Sequence, residues 1–137
     1  MGAWGHGPFQ DDAALDFVWD IEESENPKHT ILAALSYAIE AAYLDSDEAN
    51  AAIVSAAYID SAANGTKYTT PEKSEPYEVD TFPSRFPELD LSDLKSKAVA
   101  ALEKVIGEGS ELKELWEESE EPEWQKGIEE MIKRLSS

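Results

Sequence analysis

Apolar residues recur at helical spacing along most of this chain. Ala14, Phe17, Val18 and Ile21 mark one face of a helix over about residues 11–24, and Leu15 and Trp19 widen the stripe. Asn26-Pro27 supplies an N-cap followed by proline at the first helical position. The helix it opens is expected to reach about residue 44, with Ile31, Leu32, Leu35, Ile39, Ala42 and Tyr43 facing inward. Asp45-Ser46-Asp47-Glu48 caps a third helix and sets acids at the positive end of its dipole; Gly65 stops it after about residue 63. The second and third helices are rich in alanine and joined by a few residues, which predicts a closely packed antiparallel hairpin at the centre of the fold.

The pattern changes over residues 65–90. Pro71, Pro76, Pro83 and Pro87 argue against a long helix, so a long proline-bearing loop is expected, with Tyr68, Tyr77, Phe82 and Phe86 laid against the body. Helical spacing resumes at residues 92–106 through Leu94, Ala98, Ala101, Leu102, Val105 and Ile106, until Gly107 and Gly109 end it. Ser110 caps a short helix with Leu112, Leu115 and Trp116, and Pro122 opens a last one with Trp124, Ile128, Met131, Ile132 and Leu135. Ahead of all these, residues 2–9 hold three glycines and a proline and predict a tight loop anchored by Trp4 and Phe9. The expectation is a single all-α domain over residues 1–137: a compact bundle of about five to six helices with a Gly/Pro-rich N-terminal loop.

Charge alters the functional picture more than the fold. Thirty acidic residues against eleven basic ones give a formal net charge of −19. Residues 1–66 carry twelve acids against Lys28 alone, so the excess is concentrated towards the N-terminal half. Such a field repels nucleic-acid phosphates and anionic membranes and attracts basic protein surfaces. Cysteine is absent, which removes disulfides, thiol nucleophiles and thiolate metal sites. With no secretory n- and h-region and no apolar run of membrane-spanning length, a cytoplasmic location is expected.

Two stretches resemble a known family. Met1-Gly2-Ala3-Trp4-Gly5-His6-Gly7-Pro8-Phe9-Gln10-Asp11-Asp12-Ala13-Ala14-Leu15-Asp16-Phe17 is similar to the opening signature of the bacterial domain-of-unknown-function 4259 family. Ser110-Glu111-Leu112-Lys113-Glu114-Leu115-Trp116-Glu117-Glu118, with Trp124 and the Lys133-Arg134-Leu135 ending, is similar to its C-terminal signature. The resemblance implies one bacterial domain and transfers no catalytic residue.

Candidate chemistry is sparse. Asp12, Asp16 and Asp20 stand at i, i+4 and i+8 on the first helix with Glu23 close by, so they share a face. Like charges at that spacing cost a helix about 0.2–0.5 kcal/mol per pair. The row reads as a surface for a basic partner or simply as a solvated face. Residues 117–123 hold five acids and form a second acidic surface. His6 with Asp11 and Asp12 suggests a metal or small-ligand site, against the plainer reading of a histidine bonded to backbone in a glycine-rich turn. His29 has no motif context, and Trp19, Trp116 and Trp124 are expected in helix packing. The nucleophile elbow, HExxH, phosphate loop and EF-hand patterns are all missing. The sequence therefore favours a non-enzymatic, acidic protein-binding domain, an inhibitor or immunity-type partner of a basic protein, without a cofactor. A small metal-dependent hydrolase or ligand binder built on His6, Asp11 and Asp12 is the alternative.

Overall fold

A helix that is buried on every side needs neighbours on every side. The alanine-rich segment Ser46–Asn64 (α3) is such a helix, buried from Ala49 to Ser61 without interruption. In the computed structural model, which describes residues 12–68, 77–119 and 122–136, six further α-helices surround it. They are α1 (Asp12–Glu23), α2 (Pro27–Glu40), α4 (Tyr77–Arg85), α5 (Lys95–Val105), α6 (Glu111–Ser119) and α7 (Glu123–Leu135). Each of them touches α3, and all contribute to one hydrophobic core. The fold is an all-α domain, with seven α-helices among the described residues and a single 3₁₀ turn at Ser92–Leu94.

Local capping chemistry sets several boundaries where the sequence suggests them. Asn26 Oδ1 accepts from the His29 amide at 3.2 Å, with Pro27 at the first position of α2. Asp45 Oδ1 accepts from the Glu48 amide at 2.9 Å and opens α3. Gly65 closes α3 in the left-handed region, φ 72°, its amide donating to the Ser61 carbonyl.

Three expectations need correction. The second helix ends at Glu40, not near residue 44. Ala41 turns extended, and the chain peels away to pair with the segment before α6: the Leu44 amide donates to Gly109 O at 2.7 Å and the Glu111 amide to Leu44 O at 2.8 Å. Gly109 permits this approach, having φ 84° and an absent Cβ that would lie 3.2 Å from Ala42 O. Leu44 is buried as a result, while Ala42 and Tyr43, expected inward, face outward. Trp19 is likewise on the surface rather than in helix packing. Trp116 and Trp124 do pack as expected, stacked with ring centroids 6.1 Å apart.

The third correction falls in residues 65–90, which include α4 rather than loop alone. Phe82 from α4 sits edge-on to Tyr58 of α3, centroids 5.0 Å apart. Pro83 lies inside α4 and has no amide hydrogen for the Val79 carbonyl four residues earlier. That carbonyl accepts instead from the buried Ser61 hydroxyl of α3, at 3.2 Å.

A polar cluster fastens the periphery to α3. Asp60 is wholly buried and accepts from Asn64 Nδ2 and the Tyr68 hydroxyl, both at 2.7 Å, and from Arg134 Nε of α7 at 2.8 Å. Asp80 of α4 accepts from the Tyr68 amide at 2.7 Å. Burial first, and the Asp60 carboxylate second, push the Tyr68 phenol well above the usual tyrosine range. The network leaves its charges neutralised or hydrogen-bonded, and its role is to hold residues 65–68 and α7 in place.

Candidate acidic groove

The acids of this chain fall into two groups. One group is bound into the structure. Glu22 receives both terminal nitrogens of Arg85 at 2.6 and 3.0 Å and the Tyr58 hydroxyl at 2.7 Å. Asp45 caps α3, and Glu111 accepts from the Ser46 amide at 2.8 Å. Glu114 takes the Tyr43 hydroxyl at 2.8 Å, and that hydrogen bond, with neighbouring acids, pushes the Tyr43 phenol up to about 12. The other group has no cation partner among the described residues, and part of it converges on one place.

That place is a groove of about 330 Å³ between α1 and the first turns of α3. Helical periodicity explains its composition. Ala13, Asp16, Phe17 and Asp20 share one face of α1, and Asp47, Glu48 and Ala51 come from the facing turns of α3. Phe17 and the two alanines form an apolar part, with four carboxylates around it. Asp16, Asp20 and Asp47 are exposed, whereas Glu48 is half-buried. Burial, followed by Asp45 and Asp47, raises the Glu48 carboxyl above the usual carboxylate range.

The arrangement is not the cheapest available to the helices. The last turn of α1 holds Asp20, Glu22 and Glu23 and no base, at the end where the dipole is negative. An acid there costs about 0.3–1 kcal/mol at an exposed site. Arg85 offsets Glu22, while Asp20 and Glu23 have no such offset among the described residues. Asp47 and Glu48 stand at the favourable end of α3.

Trp19 lies on α1 one turn beyond Asp16 and next to Asp20, and it is 55% exposed. An indole this open is a large apolar surface beside carboxylates that have no cation partner among the described residues.

Of the residues singled out from sequence, Asp16 and Asp20 line the groove, and Glu23 continues their side of α1 without lining it. His6, Asp11 and the Asp12 side chain lie outside the described residues. Asp47 and Glu48 escaped the sequence reading as site residues because acids in a first helical turn are sufficiently explained by the dipole. No group of three or more His, Asp or Glu side chains among the described residues is arranged to hold a metal ion. No helix among them is long and apolar enough to cross a membrane.

Fold and groove together define a small all-α domain with an acidic, aromatic-flanked recess. The chain belongs to the family described as domain of unknown function (DUF4259), whose pattern matches residues 2–127 of the 137. No curated protein and no solved structure matches it.

Proposed function

We propose that this chain is a non-enzymatic binding protein that engages a basic protein through the α1–α3 groove and Trp19. The observation that carries the reading is the convergence of Asp16, Asp20, Asp47 and Glu48 on one recess, with no cation among its described lining residues. Elsewhere, acids such as Glu22 and Asp60 are consumed by the fold. A lysine or arginine side chain would lay its apolar stem on Phe17 and bring its charge to the four carboxylates. Trp19 offers the exposed aromatic anchor that dominates many interfaces, and its ring face also attracts cations. Charge complementarity of this kind accelerates association and selects the partner. A cytoplasmic inhibitor or immunity-type protein that covers the cationic groove of a nuclease is one concrete form.

The test is affinity capture from native lysate at low salt, with mass spectrometry of what a high-salt wash releases. Two baits are compared at equal net charge: Asp16→Asn/Asp20→Asn/Asp47→Asn, and a control neutralising Glu103, Glu108 and Glu118, all exposed elsewhere. One basic protein retained by wild type and control but lost by the groove variant and by Trp19→Ala supports the reading. These carboxylates are exposed, so the charge variants should keep their stability within about 0.5 kcal/mol. Equal loss in both charge variants would reduce the interaction to bulk electrostatics and reject the site.

A further inference from the structure

A second cleft, of about 620 Å³, opens between the α1–α2 corner and the turn after α4. Its volume lies within the roughly 300–1,000 Å³ typical of ligand pockets. Pro27, Phe86 and Leu89 give it apolar walls, and Glu25, Glu88 and Arg85 its charge. The walls are held independently of any ligand. Asn26 caps α2 beside Pro27, the Phe86 amide donates to Phe82 O at 2.9 Å, and the Leu89 amide to Phe86 O at 3.0 Å.

The charges in this cleft are not equivalent. Arg85 grips both oxygens of Glu22, and its guanidinium carbon lies 5.8 and 5.4 Å from the Phe82 and Phe86 ring centroids. A guanidinium so committed has little left for an anionic ligand. Glu25 and Glu88 are exposed and have no ion-pair partner among the described residues. What the cleft presents is an apolar, partly aromatic wall with two unanswered carboxylates.

We propose that this cleft binds a short peptide segment in which an arginine or lysine is flanked by apolar residues. The flanking side chains cover Phe86, Pro27 and Leu89, and Glu25 and Glu88 answer the cationic head. Different residues carry this site and the α1–α3 groove, so either can fail without the other.

The experiment titrates the ¹⁵N-labelled full chain at low salt with the tripeptide Ac-Leu-Arg-Leu-NH₂ and, separately, with its citrulline analogue, a neutral isostere of arginine. The expected result is a saturable set of amide shifts clustered at Glu25, Asn26, Arg85, Phe86, Glu88 and Leu89. Affinity should fall about tenfold for the citrulline peptide and for Glu25→Gln/Glu88→Gln, one decade corresponding to about 1.4 kcal/mol. Equal affinity for the two peptides would make the cleft merely apolar and overturn the proposal. Shifts that fail to saturate, or that appear only around Asp16, Asp20 and Asp47, would overturn it as well.

Discussion

At the scale of single residues, Glu48 is where burial and neighbouring charge act together. Both raise its carboxyl, burial most, so the folded chain holds that proton more tightly than the unfolded chain does. The favourable contribution is therefore fully present at low pH. It is lost as pH rises from the ordinary value of 4.5 through the raised one. Glu48→Gln removes the titration and leaves the Asp45 cap on the backbone intact. Thermal melts across a pH series should show the variant above wild type at neutral pH and the gap closing in acid. A variant that melts lower than wild type at neutral pH would mean that the carboxylate is stabilising there. Asp60 illustrates the opposite solution, since full burial is matched by Arg134, Tyr68 and Asn64. The same residue type is thus structural in one setting and available in another, and the difference lies in what surrounds it.

At the scale of elements, α4 depends on its neighbour. Pro83 deprives the Val79 carbonyl of a helical donor, and the Ser61 hydroxyl replaces it. Ser61→Ala leaves a buried carbonyl unsatisfied, at an expected cost of about 1–3 kcal/mol. Adding Pro83→Ala supplies an amide hydrogen at position 83 and should recover part of that loss in urea denaturation. Full recovery is not expected, because removing a proline frees the unfolded chain by about 0.4–1 kcal/mol. A double variant no more stable than Ser61→Ala would reject this account of the helix. The same dependence explains what was legible in sequence. Asn26, Asp45 and Gly65 mark helix ends through contacts within a few residues, and a reader of the sequence finds them. The end of α2 and the existence of α4 are decided by Gly109 and Ser61, which lie far along the chain from the groups they serve. Apolar spacing likewise finds Trp19 on α1 but is blind to whether anything covers it. The groove divides in the same way: Asp16 and Asp20 are visible as a row, while Asp47 and Glu48 join them only through the packing of α1 on α3.

For the molecule as a whole, a net charge of −19 sets a background that every local interaction works against. Self-repulsion destabilises the compact state, and salt shortens its reach from about 10 Å at 0.1 M to about 3 Å at 1 M. Raising sodium chloride from low concentration to roughly 0.5 M should therefore lift the melting temperature by several degrees, each kcal/mol being worth roughly 3–5 °C at this size. A melting temperature that falls with salt would mean that ion pairs such as Glu22–Arg85 outweigh the repulsion. The complex with a basic partner should respond in the opposite sense, since screening weakens it.

The central position of α3 also has a consequence for how the protein is made. Synthesis runs from the N-terminus, so α1 and α2 leave the ribosome before the helix that both pack against. Once α3 has followed, its remaining faces wait for α4, α5, α6 and α7. Among the described ion pairs Asp60 waits longest: its guanidinium partner is Arg134, 74 residues downstream. A nascent chain thus carries that carboxylate without its cation through most of translation, and the core becomes electrically complete only when α7 arrives.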